Sequence, residues 1–159
     1  AVDNSSAFRA DPDIPLVVPE VNAHRIPRPA RGIVANPNCS TIQMLVALKP
    51  LHDAAGLVQV VVSTYQAISG KGARALDEYR QQSAAVAQGH EAPVSVLPGV
   101  LADNLLVDWR HDASGWAEEE RKMVHESRKI LELPELLVAP TCVRVPVPNA
   151  RGEIGRAHV

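Results

Sequence analysis

One cysteine stands where the chain changes character. Asn36-Pro37-Asn38-Cys39-Ser40-Thr41 opens a run in which Ile42, Leu45, Val46 and Leu48 recur near helical spacing. Asn38 suits the N-cap, because its side chain can accept amide hydrogen bonds from the first turn. Gly56 suits the stop. A thiol at a helix start is placed for nucleophilic chemistry, since the helix dipole and free amides there favour the thiolate. The same amides could hold the oxyanion that forms when sulfur attacks a carbonyl. On the residues alone a second reading stands beside this one: a small buried hydrophobe opening a core helix. Cys142, inside a valine-rich stretch, reads as an ordinary buried strand residue.

The elements that must position this thiol follow from the punctuation of the chain. Pro12, Pro15, Pro19, Pro27, Pro29 and Pro37 all precede Cys39. Each fixes φ and removes an amide donor, so that stretch is read as extended segments and turns, with at best a short buried strand at Leu16-Val17-Val18. Pro50 is expected to break or kink the helix that Cys39 opens. Leu57 to Tyr65 reads as a strand and Ala73 to Gln88 as a helix ending near Gly89. Pro93 to Asp108 reads as short strands and turns. Trp116 to Leu131 is a helix whose Glu118-Glu119-Glu120 start and Arg128-Lys129 end complement its dipole. Leu137 to Val147 is a strand with Val143, Val145 and Val147 on one face and Arg144 on the other. Strands alternating with helices give an α/β layout.

Composition narrows the function classes. The 159 residues, 46% apolar and 21% charged, are enough for one globular domain with a real core. A net charge of −2 leaves no electrostatic footprint for nucleic acid or an anionic membrane. Five aromatic residues offer no stacking platform for single strands. No apolar run nears the roughly 18 residues of a spanning helix, and no signal peptide is read at the start. Two cysteines make no disulfide framework, so a reducing, cytoplasmic setting is expected. No metal site is expected either.

Asn36-Pro37-Asn38-Cys39-Ser40-Thr41-Ile42-Gln43 resembles the active-site signature of the aspartate-semialdehyde dehydrogenase family. Asp3 to Arg9 and Pro15 to Asn22 resemble the segment that precedes the family's cysteine. Ser63 to Gly70 resembles its substrate and cofactor turn, and Glu118 to Ile130 and Cys142 to Val147 resemble two later blocks. The resemblance runs in the family's order to about Pro148. It implies an enzyme that reduces L-aspartyl 4-phosphate to aspartate 4-semialdehyde with NADP(H) and releases phosphate, in lysine, threonine, methionine and diaminopimelate synthesis. It implies dimers or tetramers as well.

The resemblance also implies roles, residue by residue. Cys39 becomes the nucleophile that forms an acyl-thioester. Arg9, Lys122 and Asn38 become phosphate contacts, Arg9 through a guanidinium fork suited to phosphate. Arg144 becomes the clamp on the substrate α-carboxylate, with Glu119 a second substrate contact. Gln66 orients substrate near the sulfur, and Ser69 and Gly70 meet the nicotinamide end of the cofactor. Without the resemblance each has a plainer reading. Arg9 is then an exposed arginine, and Glu119 and Lys122 a solvated helix face. Arg144 is a strand-edge residue, Gln66 a loop residue and Ser69-Gly70 a plain turn.

The implied fold is the end of a Rossmann-like cofactor domain (1–35) followed by part of an α/β catalytic and dimerisation domain with a mixed sheet (36–152). The family's glycine-rich nucleotide loop has no counterpart ahead of Asp3. The family's catalytic histidine stands seven residues after the substrate arginine, where this chain has Arg151. A guanidinium stays protonated near neutral pH and cannot serve as general acid and base. His24, His52, His90, His111, His125 and His158 lie in other contexts. Residues 153–159 resemble translated sequencing-adaptor DNA and are set aside as a tail. Two other readings remain: an N-acetyl-gamma-glutamyl-phosphate reductase, whose cysteine usually sits in Asn-Pro-Gly-Cys-Tyr-Pro, and a non-catalytic paralogue kept as a dimerisation module.

Overall fold

The computed structural model describes residues 1–26, 31–107, 111 and 113–159. Pro27, Pro29 and Asp108, read above as parts of turns, lie outside the described residues, as does the side chain of Arg151. The elements run β1 (Val2–Asp3), α1 (Pro19–Asn22), β2 (Val34–Ala35), α2 (Cys39–Ala55), β3 (Gln59–Gln66), α3 (Ala73–Ala87), β4 (Leu106–Val107), α4 (Glu118–Leu131), β5 (Leu137–Arg144) and β6 (Arg151–His158). Short 3-10 turns follow α1 at Ala23–Arg25 and β3 at Ile68–Lys71. The fold is mixed α/β, as the alternating pattern implies.

β1 and β2 form a parallel pair, Val2 opposite Val34 and Asp3 opposite Ala35. The other strands make a sheet in the order β4-β5-β3-β6. β4 is antiparallel to β5. Leu137 N–H donates to the Val58 carbonyl, and Val145 N–H to the Gln66 carbonyl, so β5 runs with β3. Val58 N–H donates to the His158 carbonyl, and Ala67 N–H to the Ala150 carbonyl, so β6 runs against β3. The sheet is therefore mixed. Residues 153–158, set aside above as tail, lie within strand β6.

The chain divides into two compact units, one of residues 1–62, 120–140 and 155–159, the other of 63–119 and 141–154. The first buries Ile14, Leu16, Val18, Ala35, Leu45, Met123 and Ile130. Leu16-Val17-Val18 is buried but is not a strand; only Leu16 bridges Ala35. The reason is Asn22, whose side-chain oxygen takes the Val18 N–H and whose amide donates to the Leu16 carbonyl. Asn22 thus satisfies two of the run's backbone groups locally, while Val17 N–H donates to the Ala35 carbonyl. Pro50 does not end α2, which continues to Ala55 and stops at Gly56 with φ of 75°. The proline removes one ladder bond, and the remaining ones carry the helix past it.

The second unit packs Ile68, Ala75, Leu97 and Leu101, with Leu76, Tyr79 and Leu106 against them. Two polar residues one turn apart on α3 hold the loop read above as turns. The buried Glu78 carboxylate accepts from the Ser95 hydroxyl at 2.5 Å and from the amides of Ser95, Val96 and Leu97. Gln82 donates to the carbonyls of Pro93 and Gly99 and accepts from Leu101 N–H. Burial pushes the Glu78 carboxyl up, but these donors outweigh it and hold it below its ordinary value.

Candidate active site

In the first unit the site is built on the start of α2. Asn38 caps it from extended backbone (φ −60°, ψ 141°), its side-chain oxygen accepting the Ser40 N–H at 2.8 Å. Cys39 is the first helical residue and is exposed, whereas Asn38, Ser40 and Thr41 are buried. The thiol therefore faces solvent at the positive end of a 17-residue helix.

Behind it lies a buried acid that the sequence reading did not single out. Glu126 of α4 accepts the Asn38 N–H at 2.6 Å through one oxygen and an Arg9 guanidinium nitrogen at 3.3 Å through the other. Burial pushes the Glu126 carboxyl above its ordinary value, against the pull of the Asn38 amide and Arg9. A second Arg9 nitrogen donates to the Asn4 carbonyl at 3.3 Å. Three residues beyond Glu126, the Lys129 ammonium donates to the carbonyls of Arg9, Asp11 and Ile14. Its three donors meet three acceptors, and burial lowers its pKa against the opposing pull of Asp11. Lys122, half-buried, belongs to the same unit on the same helix.

The second unit gathers another set. Burial along β5 alternates so that Val138, Cys142 and Arg144 face inward while Leu137 is exposed. Arg144, 7% exposed, donates to the Ala67 carbonyl at 2.7 Å. Gln66, fully buried at the end of β3, donates to the Thr64 hydroxyl at 2.9 Å. Gln66, Glu119, Cys142, Val143 and Arg144 line one small cleft. Ser69 and Gly70 are exposed on the 3-10 turn after β3, where Ser69 N–H donates to the Pro148 carbonyl.

The structure thus brings Arg9, Asn38 and Cys39 together in one unit and Gln66, Glu119 and Arg144 together in the other. Residues 48–153 match the family described as "Semialdehyde dehydrogenase, dimerisation domain". The chain belongs to that family. It is 51% identical over 150 residues to the aspartate-semialdehyde dehydrogenase of Aquifex aeolicus (strain VF5), which covers 92% of this chain and 44% of that relative. A crystal structure of aspartate semialdehyde dehydrogenase II from Vibrio cholerae, complexed with ASA, superposes with a TM-score of 0.93 at 46% identity, covering 98% of this chain and 47% of that one. The Candida albicans enzyme with NADP superposes at 0.68 and 26% identity, over 99% of this chain and 43% of that one. The chain spans less than half the length of these relatives.

Three residues of this dimerisation-domain family member escaped the sequence reading: Glu126, Lys129 and, as a cleft residue, Cys142. Glu126 had a signal. It lies on the helix stripe of Glu119, Met123, Ser127 and Ile130, all buried. An acid on a buried stripe needs a partner. Among the described residues no group of three His, Cys, Asp or Glu side chains is gathered for a metal, and no helix is long and apolar enough to cross a membrane.

Proposed function

We propose that this chain carries the acyl-transfer site of a phosphorylating, NADP-dependent aspartate-semialdehyde dehydrogenase. The observation that carries the reading is the exposed Cys39 at the first position of a capped helix, with an arginine held beside the cap. The Cys39 thiolate attacks the acyl carbon of L-aspartyl 4-phosphate. The carbon–oxygen bond to phosphate breaks, phosphate leaves and an acyl-thioester remains on the sulfur. Arg9, Lys122 and Asn38 hold the phosphate. Arg144 takes the α-carboxylate through its planar fork, Glu119 contacts the rest of the amino-acid substrate, and Gln66 keeps the acyl group near the sulfur.

NADPH, when bound, supplies the hydride that takes the acyl group to the aldehyde level. Ser69 and Gly70 fit its nicotinamide end: they are exposed, and α3 opens just beyond them on Gly72 with no side chain capping its first amides. Residues 1–35 are then the closing part of a cofactor domain and residues 36–152 the catalytic and dimerisation domain, with residues 153–159 a tail after it. The reading places the enzyme in the cytoplasm, in lysine, threonine, methionine and diaminopimelate synthesis, as a homodimer or homotetramer. Val61, Tyr65 and Leu137, exposed on alternating positions of β3 and β5, suit burial against a second copy.

Arg151 stands where the family has its general acid and base, so the chain as it stands is read as not turning over. The test is phosphate-dependent reduction of NADP with aspartate semialdehyde, by a full-length protein carrying this segment, with Arg151 and with Arg151→His. Turnover with the histidine alone supports the reading. No turnover with either, or turnover only with N-acetylglutamate semialdehyde, contradicts it.

A further inference from the structure

Helix α4 grips the segment that carries Arg9 twice. Lys129 holds its backbone through three carbonyls, and Glu126, one turn earlier, holds its guanidinium. The two oxygens of Glu126 are divided between Arg9, 117 residues away, and the amide of Asn38, 88 residues away. Asn38 is the cap of α2, and the next residue is Cys39. One rigid carboxylate therefore sets the separation between a guanidinium and the residue that bears the thiol.

Packing alone does not call for an acid here. Glu126 is 4% exposed and shares its stripe with Met123, Ser127 and Ile130, where an apolar side chain of similar volume would bury without desolvating a charge. Arg9 in turn keeps a buried Nε–H with no partner, a donor still open after Glu126 and Asn4 have taken the other two nitrogens.

We propose that Glu126 is a positioning residue that holds the Arg9 guanidinium at a set distance from Cys39, so that a phosphoryl group bound by Arg9 lies beside the sulfur. This rests on the roles given to Arg9 and Cys39 above. Misplacing a binding group by about 1 Å is enough to lose much of its effect, which gives such a clamp its value. Glu126→Gln keeps the shape but can serve only one of the two donors; its amide NH2 then faces either Arg9 or Asn38 and releases it.

The test uses the 159-residue chain and inorganic phosphate as probe. Iodoacetamide labelling of Cys39 and Cys142 is followed by peptide mass spectrometry across a phosphate series at constant ionic strength. In the wild type, phosphate slows labelling of Cys39. In E126Q the half-protecting phosphate concentration rises at least about tenfold, the labelling rate of Cys39 without phosphate stays within about twofold, and buried Cys142 stays slow. A purely structural role would instead change the phosphate-free rate and open Cys142. Protection in E126Q at the wild-type concentration, or below it, overturns the proposal and leaves the reading of Arg9 and Cys39 standing. No protection in the wild type overturns that reading, and the proposal with it. Should E126Q open Cys142, Glu126→Asp decides, because it keeps the charge with a shorter reach. A severalfold shift with Cys142 still slow supports the clamp, and an unchanged half-protecting concentration overturns it.

Discussion

Arg144 and Ala67 lie 77 residues apart in the chain, and a guanidinium nitrogen of the first donates to the carbonyl of the second at 2.7 Å. The bond seats a buried cation one residue past Gln66, on the inward face of β5. On the proposed function, Arg144→Leu in a full-length protein carrying this segment raises the KM for aspartate semialdehyde far more than it lowers kcat. The loss is a few kcal/mol, on the order of a hundredfold, because a substrate carboxylate is left without its partner. Steady-state kinetics at saturating phosphate and NADP measure it. An unchanged KM removes Arg144 from the substrate site.

Cys39 is exposed and Cys142 is 3% exposed. Iodoacetamide at near-neutral pH therefore labels Cys39 well before Cys142, and unfolding in urea abolishes the difference. A peptide time course reports both sites. Equal rates in a chain that unfolds cooperatively by circular dichroism contradict the placement of Cys39 at an open helix start.

Two buried acids give opposite pH signatures. Glu126 has its carboxyl raised in the folded state, so its contribution is fully present below the ordinary value near 4.5 and is lost as pH rises through the higher folded value. Glu78 has its carboxyl lowered, so its contribution is present above 4.5 and is lost as pH falls through the folded value. From acid to neutral pH, the wild type accordingly loses stability relative to Glu126→Gln and gains it relative to Glu78→Gln. Urea unfolding of the three proteins between pH 4 and pH 7, a range of about three units about the carboxylate pKa, reads both slopes. Slopes of the same sign refute the assignment.

Much of the fold was legible in local chemistry. Asn38 and Gly56 bracket α2 as a cap and a stop should, and β3 and α3 begin and end within a residue or two of the bounds read from the sequence. The misreadings have physical causes. Pro50, expected to break or kink α2, does not break it, because one missing bond does not end a 17-residue helix. Val143, Val145 and Val147 read as one face of a strand to Val147, but β5 ends at Arg144 and buries its other face, with Val138, Cys142 and Arg144. Glu126 is the sharpest gap. Its place on the stripe of Met123 and Ile130 marks it for burial, but its partners, Arg9 and Asn38, come from distant parts of the chain that no local pattern names.

Ala150, beside Arg151, holds a φ of 137° while its carbonyl anchors Ala67 N–H at 3.1 Å. That backbone region suits glycine. Ala150→Gly should stabilise the chain by about 1 kcal/mol, the strain of a non-glycine residue there less the extra entropy of an unfolded glycine. Equilibrium urea unfolding at one pH measures it. A lower midpoint would show that the strain is not relieved.

The central claim is that Cys39 carries the acyl group. The most direct measurement supplies a full-length protein carrying this segment, and Arg151→His, with aspartate semialdehyde and NADP but no phosphate, followed by acid quench and peptide mass spectrometry. With nothing to accept the acyl group, it should remain as a thioester on the peptide containing Cys39 in the histidine variant. Its amount should equal the NADPH formed in a single burst, and Cys39→Ser should abolish both. An adduct on Cys142 or another residue, or a burst that survives Cys39→Ser, would contradict the account.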